Sequence, residues 1–403
     1  MASYGLLALS TAISAFTYSH IWLNDSAFKQ SIPKVVKACG TLVPFTSLRE
    51  ADPVTALREL ICVRLSFLRL LYADQAGFGA LLVFASVFVP FFLRLSYQAA
   101  SPNTRSLLQG PILPTLAVLI TSADVLLIGS GVALFIPTLI ALLYTLGASP
   151  SKASALPKLP CPAQAVYGAN LTAAFLSAFF IGTLMYDEEL TSTEFWWEQF
   201  VPEQVLQYTN ILTHVNDLFS NVYPVVILPI LWLGYHSVKR IHNEEDAKKQ
   251  LDYYLAAEIA YGFERTWAYY RQAGLLSFLA YLYGVSQIYR GVVATKKIPG
   301  PATQYILLVS LLITLASLTI AIVDAQSAPD DGLDEEAKKA IERAPAGNPG
   351  VEDNIKVLAV LSLVTGPSMA FMLWYAHQEE IRGWKGRRAW RQNSASKGEL
   401  AVK

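Results

Sequence analysis

The chain has 403 residues, 31 Lys+Arg against 31 Asp+Glu, and a formal net charge of zero at pH 7. Only 15% of positions are charged while 53% are hydrophobic and 12% aromatic, with a mean hydropathy of +0.38. Soluble proteins average about 25% charged residues, so this chain lacks the polar groups to cover a water-facing surface. Nucleic-acid binding is disfavoured because no net positive charge supports a basic stripe. Extensive disorder is excluded by the hydrophobicity. The composition therefore predicts an all-α, polytopic membrane bundle forming one integral-membrane domain over 1–403.

A spanning helix needs about 20 mostly apolar residues. In chain order the candidates are Tyr4–Leu23, Phe78–Tyr97, Ile112–Leu146, Gln164–Leu184, Ile211–Tyr235, Gly274–Val293, Thr303–Val323 and Lys356–Ala376. That is about eight spans, within a range of seven to nine. Tyr4–Leu23 is Ser/Thr-rich, with no basic residue before it and no clean small-residue cleavage site after it, so it reads as a retained span. Ile112–Leu146 is too long for one crossing: as a straight helix it would run to roughly 52 Å against about 30 Å of hydrocarbon. Gly129-Ser130-Gly131 and Pro137 offer places to bend, break or turn back.

Loop charges set the expected orientation. The amphipathic connection 24–75 carries Lys29, Lys34, Lys37, Arg49, Arg58, Arg64 and Arg69 and is expected in the cytoplasm. Asp187–Gln207, with six acids and no Lys or Arg, is expected in the lumen. Lys239, Arg240, Lys248 and Lys249 again favour the cytoplasm. The tail bearing Arg382, Lys385, Arg387, Arg388 and Arg391 does not fit an eight-span count from a lumenal N-terminus. A further embedded segment, Leu251–Tyr270, would repair the count, yet it contains Asp252, Glu258, Glu264 and Arg265. It is either interfacial or lines a polar interior. Residues 326–353 read as a polar loop and 393–403 as a disordered tail.

Ionisable groups within apolar segments are costly and point to function. Asn210, His214 and Asp217 stack on one helix face at spacings of four and three, extended by Asn221. A His–carboxylate pair in a low-dielectric site can donate or accept a proton; at the lumenal interface it would merely be solvated. Asp124 lies deep in an apolar run with only hydroxyls nearby, which suits either a neutral-acid proton donor or a buried carboxyl bonded to Ser or Thr. Tyr254, Glu258, Tyr261 and Arg265 share another face beside Tyr253, Trp267, Tyr269 and Tyr270. Phenols and rings around a carboxyl would stabilise a cation; the alternative is an interfacial aromatic belt. Tyr281, in the Tyr-rich span Gly274–Val293, joins Asn210, Tyr254, Tyr261 and Trp267 as a candidate substrate contact. Asp324, at the end of its span, reads as an interface residue.

Several chemistries have no motif here. Cys39, Cys62 and Cys161 are odd in number and widely spaced, and no H-E-x-x-H, phosphate loop, dinucleotide fingerprint or G-x-S-x-G elbow occurs. No metal or other cofactor is expected. Asn216-Asp217 matches the start of the aspartate-rich motif of membrane prenyltransferases, but Leu218-Phe219-Ser220 lacks the second carboxylate that Mg²⁺–diphosphate needs.

With its span layout, isolated carboxyls and the acidic aromatic stretch Glu194-Phe195-Trp196-Trp197-Glu198, the chain resembles the integral-membrane terpene cyclases of fungal meroterpenoid biosynthesis, in particular the ascochlorin and ascofuranone type. The resemblance implies a metal-independent enzyme in the endoplasmic reticulum acting on a lipophilic, prenylated small molecule. A carboxylic acid would protonate a terminal epoxide, alkenes would attack the resulting cation in sequence, and Tyr or Trp faces would shield it. Asp124, Asp217 and Glu258 are then the candidate donors. Two other classes stay open: a proton-coupled transporter relaying through Asp217 and His214, and a non-catalytic membrane scaffold.

Overall fold

The computed structural model describes residues 2–19, 71, 75–104, 106–122, 132–147, 159–161, 227–296, 298–326, 358, 360–362 and 365–401. Among these, every regular element is helical. The helices are α1 (Ala2–Thr17), α2 (Gln75–Ala100), α3 (Leu113–Ser122), α4 (Ile136–Gly147), α5 (227–237), α6 (Glu244–Tyr253), α7 (Ala256–Thr295), α8 (Pro301–Gln326) and α9 (Pro367–Ala401). Two of them, over Gln75–Ala100 and Ala302–Ala325, are long and apolar enough to cross a membrane, while Tyr4–Thr17, Leu108–Ile120 and Ile136–Gly147 are shorter apolar helices.

Helix α2 is apolar all round and is buried all round, as such a helix must be. Phe84, Phe88, Phe91 and Phe92 pack with Ile306, Val309, Leu312 and Ile313 of α8 in the largest core cluster. Its other contact is with α7, and there the backbones touch. A Cβ built on Gly79 would lie 2.5 Å from the Gly284 carbonyl oxygen, and one on Gly284 would lie 2.7 Å from that of Gly79. Two turns further along α7, Gly291 faces Ala76 in the same way. Small residues at this spacing let two helices approach closely without a hydrophobic driving force.

The Ser/Thr content of the first span has a structural use. Ser10 Oγ lies 2.5 Å from Thr138 Oγ1, and Ser14 Oγ donates to the Leu134 carbonyl at 3.0 Å. Hydroxyls that lower the hydropathy of α1 thus form its buried contact with α4 and with the 3-10 turn Val132–Phe135 that leads into it. The pairing of Ser10 with Thr138 and Ser14 with Leu134 also makes α1 antiparallel to α4.

Three predicted spans depart from simple crossings. Ile112–Leu146 turns back on itself: α3 and α4 are separate short helices, and Gln109, before α3, lies against Gly147, at the end of α4. Lys356–Ala376 is broken at Gly366, whose φ of +80° only glycine adopts readily, and Pro367 then starts α9. Leu251–Tyr270 is divided by extended Tyr254 and Leu255. Its second part continues without interruption through Gly274–Val293, giving a helix of 40 residues. At 1.5 Å per residue α7 is roughly 60 Å long, about twice the thickness of a bilayer's hydrocarbon layer.

Helices α7 and α9 run antiparallel, with Gly366 beside Tyr281, Gly274 beside Met372, and Gly383 beside Phe263. Their polar halves meet at one end of the bundle. Ile241, Ala247 and Leu251 pack there with Ile259, Phe263 and Trp390, and Arg240 donates to the Ala99, Ser101 and Tyr235 carbonyls. Lys239, Arg240, Lys248 and Lys249 therefore share an end with Arg382, Lys385, Arg387, Arg388 and Arg391. The tail thus lies beside the basic residues at 239–249. The helix ends that flank 24–75, at Thr17 and Gln75, lie at the other end.

Replacing Gly284 by Leu inserts a branched side chain where a Cβ already meets backbone. The expected cost is about 1–3 kcal/mol or more, read as a lowered Tm in detergent, whereas Leu275→Val at an exposed position leaves Tm nearly unchanged.

Candidate functional site

Two polar features stand out at the end where α7 and α9 become charged. The first is a buried node. Arg94 is the one charged residue of α2. Its Nη2 donates to Asp324 Oδ2 of α8 at 2.7 Å, and the two side chains are 4% and 14% exposed. Tyr144 of α4 donates to Asp324 Oδ1 at 2.6 Å and Tyr375 of α9 donates to Oδ2 at 2.7 Å. The guanidinium also reaches Gln98 Oε1 at 3.2 Å and lies 4.4 Å from the Tyr375 ring centroid. One carboxylate thereby joins four helices.

Aromatic rings enclose the node. Tyr375 packs on Phe371 and Trp374 at 4.7 Å and on Tyr270 at 5.7 Å, and Tyr270 meets Tyr97 edge-on at 5.1 Å. Beside them, Glu379 is buried and ion-paired with Arg382. Cys161 donates its Sγ–H to the Tyr97 carbonyl at 3.4 Å. Its thiol is pushed up to about 12, first by burial and then by the Glu379 carboxylate, so it is no nucleophile at neutral pH. Asp324 already accepts from three donors and offers no proton. Its role is to hold helices in register.

The second feature is a groove of about 720 Å³ between α7 and α9. Tyr261, Glu264, Arg265, Ala268 and Gln272 recur at helical spacing along α7, and Glu380, Gly383, Trp384 and Arg387 do so along α9. Trp267 and Tyr269 complete the ring surface. At Gly383 an added Cβ would meet the Phe263 Cβ at 3.2 Å, so glycine allows the close approach that forms the floor. Each arginine lies over a ring: Arg265 over Tyr261 at 4.4 Å and Arg387 over Trp384 at 4.0 Å. Glu380 Oε2 is 3.9 Å from His377 Nδ1. The buried Trp267 Nε1 has no hydrogen-bond partner among the described residues. The volume falls within the range of about 300–1,000 Å³ typical of small-molecule pockets.

The residues selected from sequence separate in space. Tyr261 and Trp267 line the groove. Glu258 caps α7, its Oε2 accepting from the Leu255 N–H at 3.2 Å, and is exposed. Tyr254 packs against the Ile241–Phe263 cluster, and burial followed by the Glu258 charge raises its phenol above the ordinary value. Tyr281 lies along α7 beyond the groove, its ring against Gly366. Asp124, Asn210, His214 and Asp217 lie outside the described residues. Asp324, at the end of α8, is buried against Arg94, where three other helices bring their polar groups to it.

Sequence reasoning missed Arg94, Tyr144, Tyr375, Glu380 and Trp384. Arg94 had a signal, being a lone charge in a 26-residue apolar helix. Among the described residues, no three His, Cys, Asp or Glu side chains gather as a metal ion would require. Comparison of the chain with protein families, with curated proteins and with solved structures finds no match.

Breaking the node from one side leaves an uncompensated buried charge. Arg94→Met or Asp324→Leu alone is expected to cost about 3–5 kcal/mol, and the double variant to recover most of that loss. Thermal unfolding of the four proteins in one detergent measures the cycle, and additive losses would deny the pair its coupling.

Proposed function

We propose that the chain is a multi-pass membrane enzyme that cyclises the epoxidised prenyl chain of a lipophilic substrate by acid initiation, and that the reaction takes place in the groove between α7 and α9. The observation that carries this reading is a ring-walled cavity bearing carboxyls from both walls, Glu264 on α7 and Glu380 on α9. Its rings and carboxyls suit the chemistry implied by the resemblance to integral-membrane terpene cyclases, with Glu264 and Glu380 as the acids in place of Glu258.

The chemistry needs one proton and returns it. A carboxylic acid of Glu264 or Glu380 donates to the epoxide oxygen as the C–O bond to the more substituted carbon breaks. Alkene π-electrons then form the new C–C bonds. Loss of a proton from the final cation to a carboxylate ends the sequence, so the conversion is an isomerisation. The faces of Trp267, Trp384, Tyr261 and Tyr269 present π-electrons to the moving positive charge. His377 beside Glu380 is placed to exchange its proton.

Membrane placement rests on more than the two apolar helices. Leu275, Leu276, Leu279, Leu282 and Val293 on α7 are exposed, as are Leu139, Leu142 and Leu146 on α4 and Leu311 on α8. So many exposed leucines would be an aggregation hazard in water and are the ordinary exterior of a protein in lipid. Residence in the endoplasmic reticulum follows from the resemblance.

Glu264→Gln and Glu380→Gln, expressed in microsomes and supplied with an epoxidised prenyl substrate, are the direct test. Epoxide consumption should fall roughly 10²–10⁴-fold in at least one of them. Glu258→Gln should retain most activity, since it loses only part of a helix cap. Asp124→Asn and Asp217→Asn measured alongside locate the donor if it lies there. Undiminished turnover in both groove variants removes the site as proposed.

A further inference from the structure

Helix α9 begins inside the bundle, and its first turn faces α2 and α8. Pro367 opens the helix directly after Gly366, whose φ is +80°. Proline has no N–H, and the Ala370 N–H donates to the Gly366 carbonyl at 3.3 Å. Between them, the N–H groups of Ser368 and Met369 have no partner within the helix, since a first turn lacks the preceding carbonyls they need. The aligned peptides of a helix add about half an elementary positive charge at this end.

A cleft of about 10 Å³ lies against that turn. Pro367, Ser368 and Phe371 of α9 meet Val87 and Pro90 of α2 and Ser317 of α8 there. Space of this order holds one particle about the size of a water molecule. Ser368 is only 4% exposed, and its Oγ has no hydrogen-bond partner among the described residues. Buried hydroxyls are normally satisfied, so this one calls for an acceptor. Ser317, also buried, brings a second hydroxyl from the opposite wall. Thr314 completes the polar lining, but its hydroxyl already donates to the Ser310 carbonyl at 2.9 Å. Among the described residues no carboxylate lines the cleft.

Donors at the positive end of a helix, set in an apolar wall with no acid beside them, select an anion. The small space selects a monatomic one. We infer that the cleft binds a single halide ion, chloride being the physiological candidate, with the Ser368 N–H and hydroxyl donating from α9 and the Ser317 hydroxyl from α8. Phosphate, sulfate and carboxylate groups are too bulky for it. The ion would tie the start of α9 to α2 and α8, at the end of α9 remote from the groove. This binding is independent of the cyclisation chemistry.

The test uses the full-length protein purified in mild detergent and exchanged into sodium gluconate. Sodium chloride then replaces gluconate at constant ionic strength while Tm is recorded and chlorine NMR line widths report bound ion. Chloride should broaden the resonance, bromide should compete it away, and Tm should rise by roughly 2 °C at about ten times the Kd. Ser368→Ala should weaken chloride binding about tenfold or more, the loss expected for one hydrogen bond to a charged group. In gluconate the same variant should melt no lower than the parent, because it removes an unpartnered hydroxyl; a merely structural serine would give a loss in both salts. Ser317→Ala should weaken binding in the same direction. Equal Tm in the two salts with no broadening, as a water in the cleft would give, overturns the assignment. So does a chloride response that Ser368→Ala leaves unchanged.

Discussion

The described bundle depends on a single carboxylate. Asp324 accepts hydrogen bonds from Arg94, Tyr144 and Tyr375, and so brings α2, α4 and α9 to the end of α8. In a low-dielectric interior each of these bonds is electrostatically strengthened, and leaving any partner unmatched is correspondingly expensive. An apolar contact of the same size would tolerate sliding by a turn. A carboxylate with three fixed donors does not. The node therefore acts as a register device, and the groove inherits its geometry, because Tyr375 and Glu380 are on the same helix little more than one turn apart.

The seam between α2 and α7 complements the node from the other end. Contact of glycine with glycine positions α7 against the most buried helix, while Phe84, Phe88 and Phe92 fill the opposite side of α2. Between these two constraints, α7 has little freedom to rotate about its axis. That fixes which of its faces points to α9: the face carrying Phe263, Tyr270, Gly274 and Tyr281, with Tyr261, Glu264, Arg265 and Ala268 along its edge in the groove.

Much of the architecture was legible in composition. The all-α class follows from long apolar runs, and Phe78–Tyr97 and Thr303–Val323 coincide with α2 and α8. Reversals were less visible, because a hydropathy window averages over a break. Gly366-Pro367 sits inside an apolar run and leaves its mean unchanged, yet a positive φ and a helix start are both encoded there. Arg94 was hidden for the same reason, one charge being diluted by its apolar neighbours. The site was half legible. Tyr261 and Trp267 were found because aromatic residues at helical spacing are conspicuous. Glu380 and Trp384 were not, since nothing local shows that α9 folds back beside α7 with its polar half level with them. Glu258 drew notice by its position next to tyrosines, but its carboxyl satisfies an orphan backbone N–H at the start of a helix, a local task that a face-by-face reading passes over.

The length of α7 has a mechanical consequence. About sixteen residues separate Ala268 in the groove from Gly284 at the tight crossing, roughly 24 Å of straight helix. An unbroken α-helix is stiff over that distance, and here it is clamped at both ends, by Gly79 at the crossing and by Gly383 against Phe263 at the groove. The wall of the groove is therefore a rigid strut, and its width is set by two close backbone approaches rather than by the side chains that line it.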